Sequence, residues 1–172
     1  MRKLYTRMAV VVVVLAGVVS AGAQQMQPFT STEGRFTANF PQGAVQQANQ
    51  AINLSGGGTT TLYQFSVDQA NGNVSYMVMY SDYSANYANG DPQTLLAETR
   101  DGAVKGKTLL SDIAISLNGV PGREFTAKDG DGWNYTVRQF LQAKRLYQLI
   151  VVSNAANPAT QISDFLNSFT IF

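Results

Sequence analysis

Residues 133–153 read WNYTVRQFLQAKRLYQLIVVS, two apolar runs joined by the polar pair Lys144-Arg145. Each run is rich in β-branched and aromatic residues, so the stretch predicts an antiparallel hairpin with strands over 133–143 and 146–153. If each turn has two residues, Phe140, Leu149 and Val151 fall on one face and Val137, Leu141, Ile150 and Val152 on the other. Both faces are apolar, so both need cover. One sheet with a helix or a long loop on each side meets that need.

Working outward, strands are predicted over 108–117 and 123–128, and the connections Asn118-Gly119 and Asp129-Gly130-Asp131-Gly132 are tight-turn sequences that make neighbours antiparallel. A further hairpin pairs 59–68 with 74–83 across Asn71-Gly72-Asn73. Arg35 to Phe40 alternates and stops at Pro41, which has no N–H to donate to a ladder. Asp91-Pro92 supplies a capping side chain and a Pro at the first helical position, and Leu95, Leu96, Thr99 and Ala103 follow at helical spacing, which predicts a helix from 92 to about 104. Asn157-Pro158 is expected to start a second helix, whose Ile162, Phe165, Leu166 and Phe169 form a narrow apolar stripe. Residues 43–58 are polar and end in three glycines. The predicted class is α+β: a central antiparallel sheet of about six to seven strands flanked by helices on both faces, an α/β/α sandwich with no internal repeat.

The chain has 172 residues, of which 45% are hydrophobic and 13% charged, with no His and no Cys. The two absences remove imidazole acid/base catalysis, thiolate nucleophiles, disulfides and the metal sites that need either ligand. Arg2, Lys3 and Arg7 precede an uncharged apolar run from Met8 to Val19, and Ala21-Gly22-Ala23 follows. This is the three-part layout of a secretory signal, with cleavage expected before Gln24; the run is short of the roughly 20 residues of a membrane-spanning helix. An uncleaved anchor is the alternative. The expected organisation is a signal over 1–23, a flexible tether over 24–32 and one domain over 33–172, exported to the periplasm or beyond, with no membrane span after cleavage. Without the three leader cations, 9 Lys and Arg face 11 Asp and Glu, a net charge of −2. A weakly acidic domain lacks the basic surface that nucleic-acid binding needs.

Five segments carry a resemblance: Phe36 to Pro41 (FTANFP), Val74 to Tyr83 (VSYMVMYSDY), Leu117 to Phe125 (LNGVPGREF), Arg138 to Val152 (RQFLQAKRLYQLIVV) and Asp164 to Phe172 (DFLNSFTIF). Together they resemble the exported PsbP-like domains of bacteria, a superfamily whose α/β/α sandwich agrees with the reading above. The resemblance implies fold and export but fixes no activity. The metal role attributed to plant members uses His, which this chain lacks, so neither a metal nor another cofactor is expected.

Among the side chains, Arg123 and Arg138 stand out. If the Asp-Gly-Asp-Gly turn pairs Lys128 with Trp133, the two arginines face each other, and like charges directly opposite need a negative partner. Pairing Leu117 with Val120 puts Asp112 diagonal to Arg123, while Glu98 or Asp101 of the first helix could serve Arg138; a structural ion network is the bland reading, and a bound anion or a catalytic role the sharper ones. Tyr83 and Tyr87 follow a tyrosine-rich strand and could line a ligand or partner site, although packing is the commoner use of such residues. Asp129 and Asp131 read as a hairpin turn rather than a calcium loop, because an EF-hand needs a further acidic ligand where Trp133 begins a strand. Gly56 to Gly58 has no following Gly-Lys-Ser/Thr and is no phosphate loop. Glu98 and Asp101, at i, i+3, could in principle form a carboxylate pair, and more often belong to a solvated helix face. The leading expectation is a non-enzymatic domain with a binding or scaffolding role, its partner an envelope or extracellular protein or a small ligand. The rival is an anion-binding module or enzyme built on Arg123, Arg138 and a nearby carboxylate.

Overall fold

The computed structural model describes residues 25–54, 58–84 and 90–172. The predicted leader, Gly56-Gly57 and Tyr87 lie outside the described residues. Among those described, seven strands form one antiparallel sheet: β3 (Gln46–Asn53), β4 (Thr59–Gln69), β5 (Val74–Asp82), β6 (Thr108–Leu117), β7 (Val120–Lys128), β8 (Trp133–Gln142) and β9 (Arg145–Asn154). Their spatial order is β3-β4-β5-β9-β8-β7-β6. A smaller sheet, in the order β1-β2-β10, is made of β1 (Met26–Ser31), β2 (Phe36–Pro41) and β10 (Thr170–Ile171). Two helices complete the fold: α1 (Pro92–Ala103) and the short α2 (Ile162–Asn167).

The alternation of the central strands sends two apolar sets in opposite directions. On what we call the inner face, Phe65, Val67, Tyr76, Val78, Tyr80, Phe140, Tyr147, Leu149 and Val151 pack against Phe36, Ala38 and Phe40 of β2, Phe165 and Leu166 of α2, and Phe169. The rings interlock: Phe169 stacks on Phe140 at 5.9 Å and meets Phe36 at 5.7 Å, while Phe165 meets Tyr76 edge-on at 5.5 Å. The Tyr147 hydroxyl donates to the Gly34 carbonyl at 2.8 Å, so this buried phenol is satisfied by the chain that enters β2. On the outer face, α1 lies across β7 and β8 and closes a smaller cluster of Tyr83, Leu95, Leu96, Leu141 and Leu146. The cap of α1 is as read: Asp91 accepts from the Thr94 N–H at 3.0 Å.

Several expectations are corrected. The inner layer is mainly a three-stranded sheet with one six-residue helix, so the molecule is mostly β rather than a sandwich with a helical layer on each side. Most of the supposed tether is β1, paired with β2 from Met26↔Pro41 to Ser31↔Phe36. The polar stretch 43–58 contains β3, an exposed edge strand whose Gln and Asn residues suit a sheet margin open to water. The second helix begins after Gln161 rather than at Asn157, and Asn157 instead bridges Asn154.

The most consequential correction is one of register. Asp129 donates its N–H to the Trp133 carbonyl at 3.0 Å, so the hairpin closes on Asp129 and Trp133 around a three-residue loop. Gly132 takes φ +88 at its last position, the left-handed residue that such loops require. Lys128 therefore pairs with Asn134, and Arg123 lies opposite Gln139 rather than Arg138. The odd-numbered loop sends the two arginines to opposite faces of the sheet.

Candidate functional site

Arg123, on the outer face, is sealed by Asp112. The Arg123 Nε donates to Asp112 Oδ1 at 2.6 Å and its Nη2 to Oδ2 at 2.8 Å, from the diagonal position across β6 and β7 that the Leu117↔Val120 pairing implies. Arg100 of α1 also donates to Asp112, and Arg123 reaches Gln93 of α1 at 3.4 Å. Hydrogen bonding from Arg123, assisted by the charge of Arg100, holds the Asp112 carboxyl below the usual aspartate range despite partial burial. The network fastens α1 to the β6–β7 edge. Gln139, fully buried beneath the helix, adds a bond from its amide to the Leu96 carbonyl and accepts from the Thr99 hydroxyl at 3.1 Å.

Arg138, on the inner face, takes neither Glu98 nor Asp101. It pairs with Glu124 directly opposite and donates to Asn167 of α2 at 2.8 Å. Asp101 pairs with Arg100 at 2.8 Å, and Glu98 is exposed on the helix. Tyr76 and Tyr80 belong to the inner core. Asp129 is occupied by its own turn: Oδ1 accepts from the Asp131 N–H at 3.0 Å and the Trp133 N–H at 2.9 Å, and Oδ2 from the Tyr135 hydroxyl at 2.8 Å. Among the described residues, no group of three or more His, Cys, Asp or Glu is placed to hold a metal, and no helix is long and apolar enough to cross a membrane.

The cavity best suited to a ligand lies elsewhere, on the outer face beside α1. It has a volume of about 430 Å³, within the range of small-molecule sites. Its sheet wall is a row of half-buried apolar residues, Met77 and Met79 of β5 with Ile150 and Val152 of β9, beside the buried Phe125 and Val137. Thr99, Ala103 and Val104 wall it on the helix side, Tyr83 also lines it, and Lys107, Tyr135 and Gln148 add further polar groups. Lys107 donates to the Ala103 carbonyl at 3.0 Å and sits over the Tyr135 ring at 4.9 Å. Burial, followed by the bond to Asp129, pushes the Tyr135 phenol up to about 12. Of the candidate site residues that are described, only Tyr83 lines this pocket. The missed residues had a signal: Met77 and Met79 alternate with the inward tyrosines, and Gln148 interrupts an apolar strand.

No protein-family model and no curated protein sequence matches the chain. Among solved structures it is similar to cyanobacterial PsbP from Synechocystis, at 13% identity, covering 92% of this chain and 99% of that one with a TM-score of 0.56. A Pseudomonas aeruginosa protein of unknown function aligns at 11% identity over 76% of this chain and 84% of its own, with a TM-score of 0.38. The class defined by two stacked antiparallel sheets with α1 on the outer face is thus a PsbP-like fold.

Proposed function

We propose that this is a non-enzymatic, exported accessory domain that acts by binding, and that the outer-face pocket is its working surface. The observation that carries the reading is the half-buried apolar row of Met77, Met79, Ile150 and Val152 left open beside α1. A concave site with a mainly apolar lining and a few polar groups is the usual form of a small-molecule pocket. The arginines offered for a rival activity are engaged in ion pairs on opposite faces, so they do not converge on one cleft. Export rests on the leader sequence and agrees with the PsbP-like fold.

Two measurements test the proposal. Nile red, an uncharged solvent-sensitive dye, is expected to bind the mature chain saturably, and Ile150→Lys is expected to abolish binding while leaving the melting temperature within about 2 °C, because Ile150 is only half-buried. Saturable binding that survives Ile150→Lys would show that the pocket is not the site. Mass spectrometry of the chain from its native cells should give an N-terminus at Gln24; a cytoplasmic chain retaining the leader would overturn export.

A further inference from the structure

From the balance of charge around the pocket we infer that its ligand is an uncharged, mainly apolar molecule carrying a hydrogen-bond acceptor, such as an ester or ketone oxygen, which the Lys107 ammonium holds at one end. The inference rests on the pocket being the working surface and adds the ligand class. Among the described residues lining the cavity, Lys107 is the sole lysine, arginine or carboxylate. Of its three N–H donors, one is used on the Ala103 carbonyl, which leaves capacity for a ligand oxygen.

The groups that face Lys107 decide the ligand's charge. From the β7–β8 turn come Asp129 and Asp131, whose charges are felt at the adjoining Tyr135. From the last turn of α1 comes the Ala103 carbonyl, at the negative end of the helix dipole. Arg123, Arg100, Asp101 and Asp112, on α1 and the β6–β7 edge, are engaged with one another. An anion at Lys107 would therefore also meet the Asp129 carboxylate, whose charge interacts with Lys107, and a helix C-terminus. A cation would meet Lys107 itself and lose hydration against Ile150 and Val152.

The length of the site follows from the sheet. Tyr135 pairs with Val152, so Lys107 marks the Val152 end, and Gln148 lies four residues back along β9, about 13 Å away. Between the two polar ends the wall is apolar. An eight-carbon chain ending in an ester matches that span.

The test is calorimetric titration of the mature chain with methyl octanoate, octanoate and octyltrimethylammonium at neutral pH, repeated with Lys107→Met and Lys107→Arg. The ester should bind at least about tenfold more tightly than either ion, and Lys107→Met should weaken it about tenfold while Lys107→Arg retains it. The sign is diagnostic, because Met makes the pocket more apolar and would tighten a ligand held by apolar contact alone. Octanoate or the ammonium binding as tightly as the ester, or an ester indifferent to Lys107→Met, would overturn the inference. Nile red binding that depends on Ile150 would then still stand, so loss of the ligand class is separable from loss of the pocket.

Discussion

Asp112 is the residue on which the outer face turns, because its one carboxylate accepts from two arginines on different elements. Its lowered pKa means that the unfolded chain binds a proton more readily than the folded one as the pH drops towards the ordinary aspartate value near 4. Its contribution to stability is complete above about pH 5 and is lost as the pH falls through the lowered folded value. Asp112→Asn should cost about 2 kcal/mol at neutral pH and flatten the acid limb of a melting-temperature profile; an unchanged acid limb would contradict this account. Gly122 makes a different kind of demand. A Cβ there would lie 2.7 Å from the Gln139 carbonyl oxygen and against the Phe140 ring, so Gly122→Ala should cost about 2 kcal/mol in chemical denaturation. Asp112 was legible as a partner for Arg123 because the Asn118-Gly119 turn sets that register. The Glu124–Arg138 pair was not, since it depends on the register of the next hairpin.

The hairpins explain why some elements could be read and others could not. In β8–β9 the expected turn was Lys144-Arg145, whereas Gln142 pairs with Arg145 around Ala143-Lys144. That shift changes the register sum by two, so every side chain keeps its predicted face. In β7–β8 the left-handed Gly132 shortens the loop from four residues to three, the sum changes by one, and the arginines separate. Gly132→Ala should therefore cost about 1 kcal/mol, measurable as a lowered denaturation midpoint at unchanged slope. The α1 helix was legible from its Asp-Pro start, but its docking was not. Beside the Asp112 network, the docking draws on Gln139, a polar residue in a strand, bonded to the Leu96 carbonyl. Gln139→Ala should cost about 2 kcal/mol and speed amide exchange in α1 before β5 and β9 respond; uniform acceleration across the sheet would argue against a local docking role.

At the scale of the whole molecule, stability rests on the contact between two sheets whose strands come from distant parts of the chain. Phe169, at the end of the sequence, packs on Phe36, Phe140 and Tyr147, while Arg35 holds the final carbonyl at 2.9 Å. Ending the chain after Ser168 removes Phe169 and β10 together, and the product should lose cooperative thermal unfolding; a sharp transition near the full-length temperature would show the second layer to be dispensable. The sequence by itself determined the composition of chemistry available, the two-faced central sheet, the site of α1 and the candidate leader, because local periodicity and turn residues act over a few positions. Only the tertiary structure decided that the supposed tether is a strand, that a small sheet rather than a helix covers the inner face, and that the arginines part company. Each of these depends on long-range pairing or on the parity of one loop, and a one-residue change reverses which face every following side chain meets. The outer pocket belongs to the same class of outcome. Its residues come from α1 and the turn that follows it, from β5 and the residue after it, and from β7, β8 and β9, and only their packing leaves an apolar row open beside Lys107.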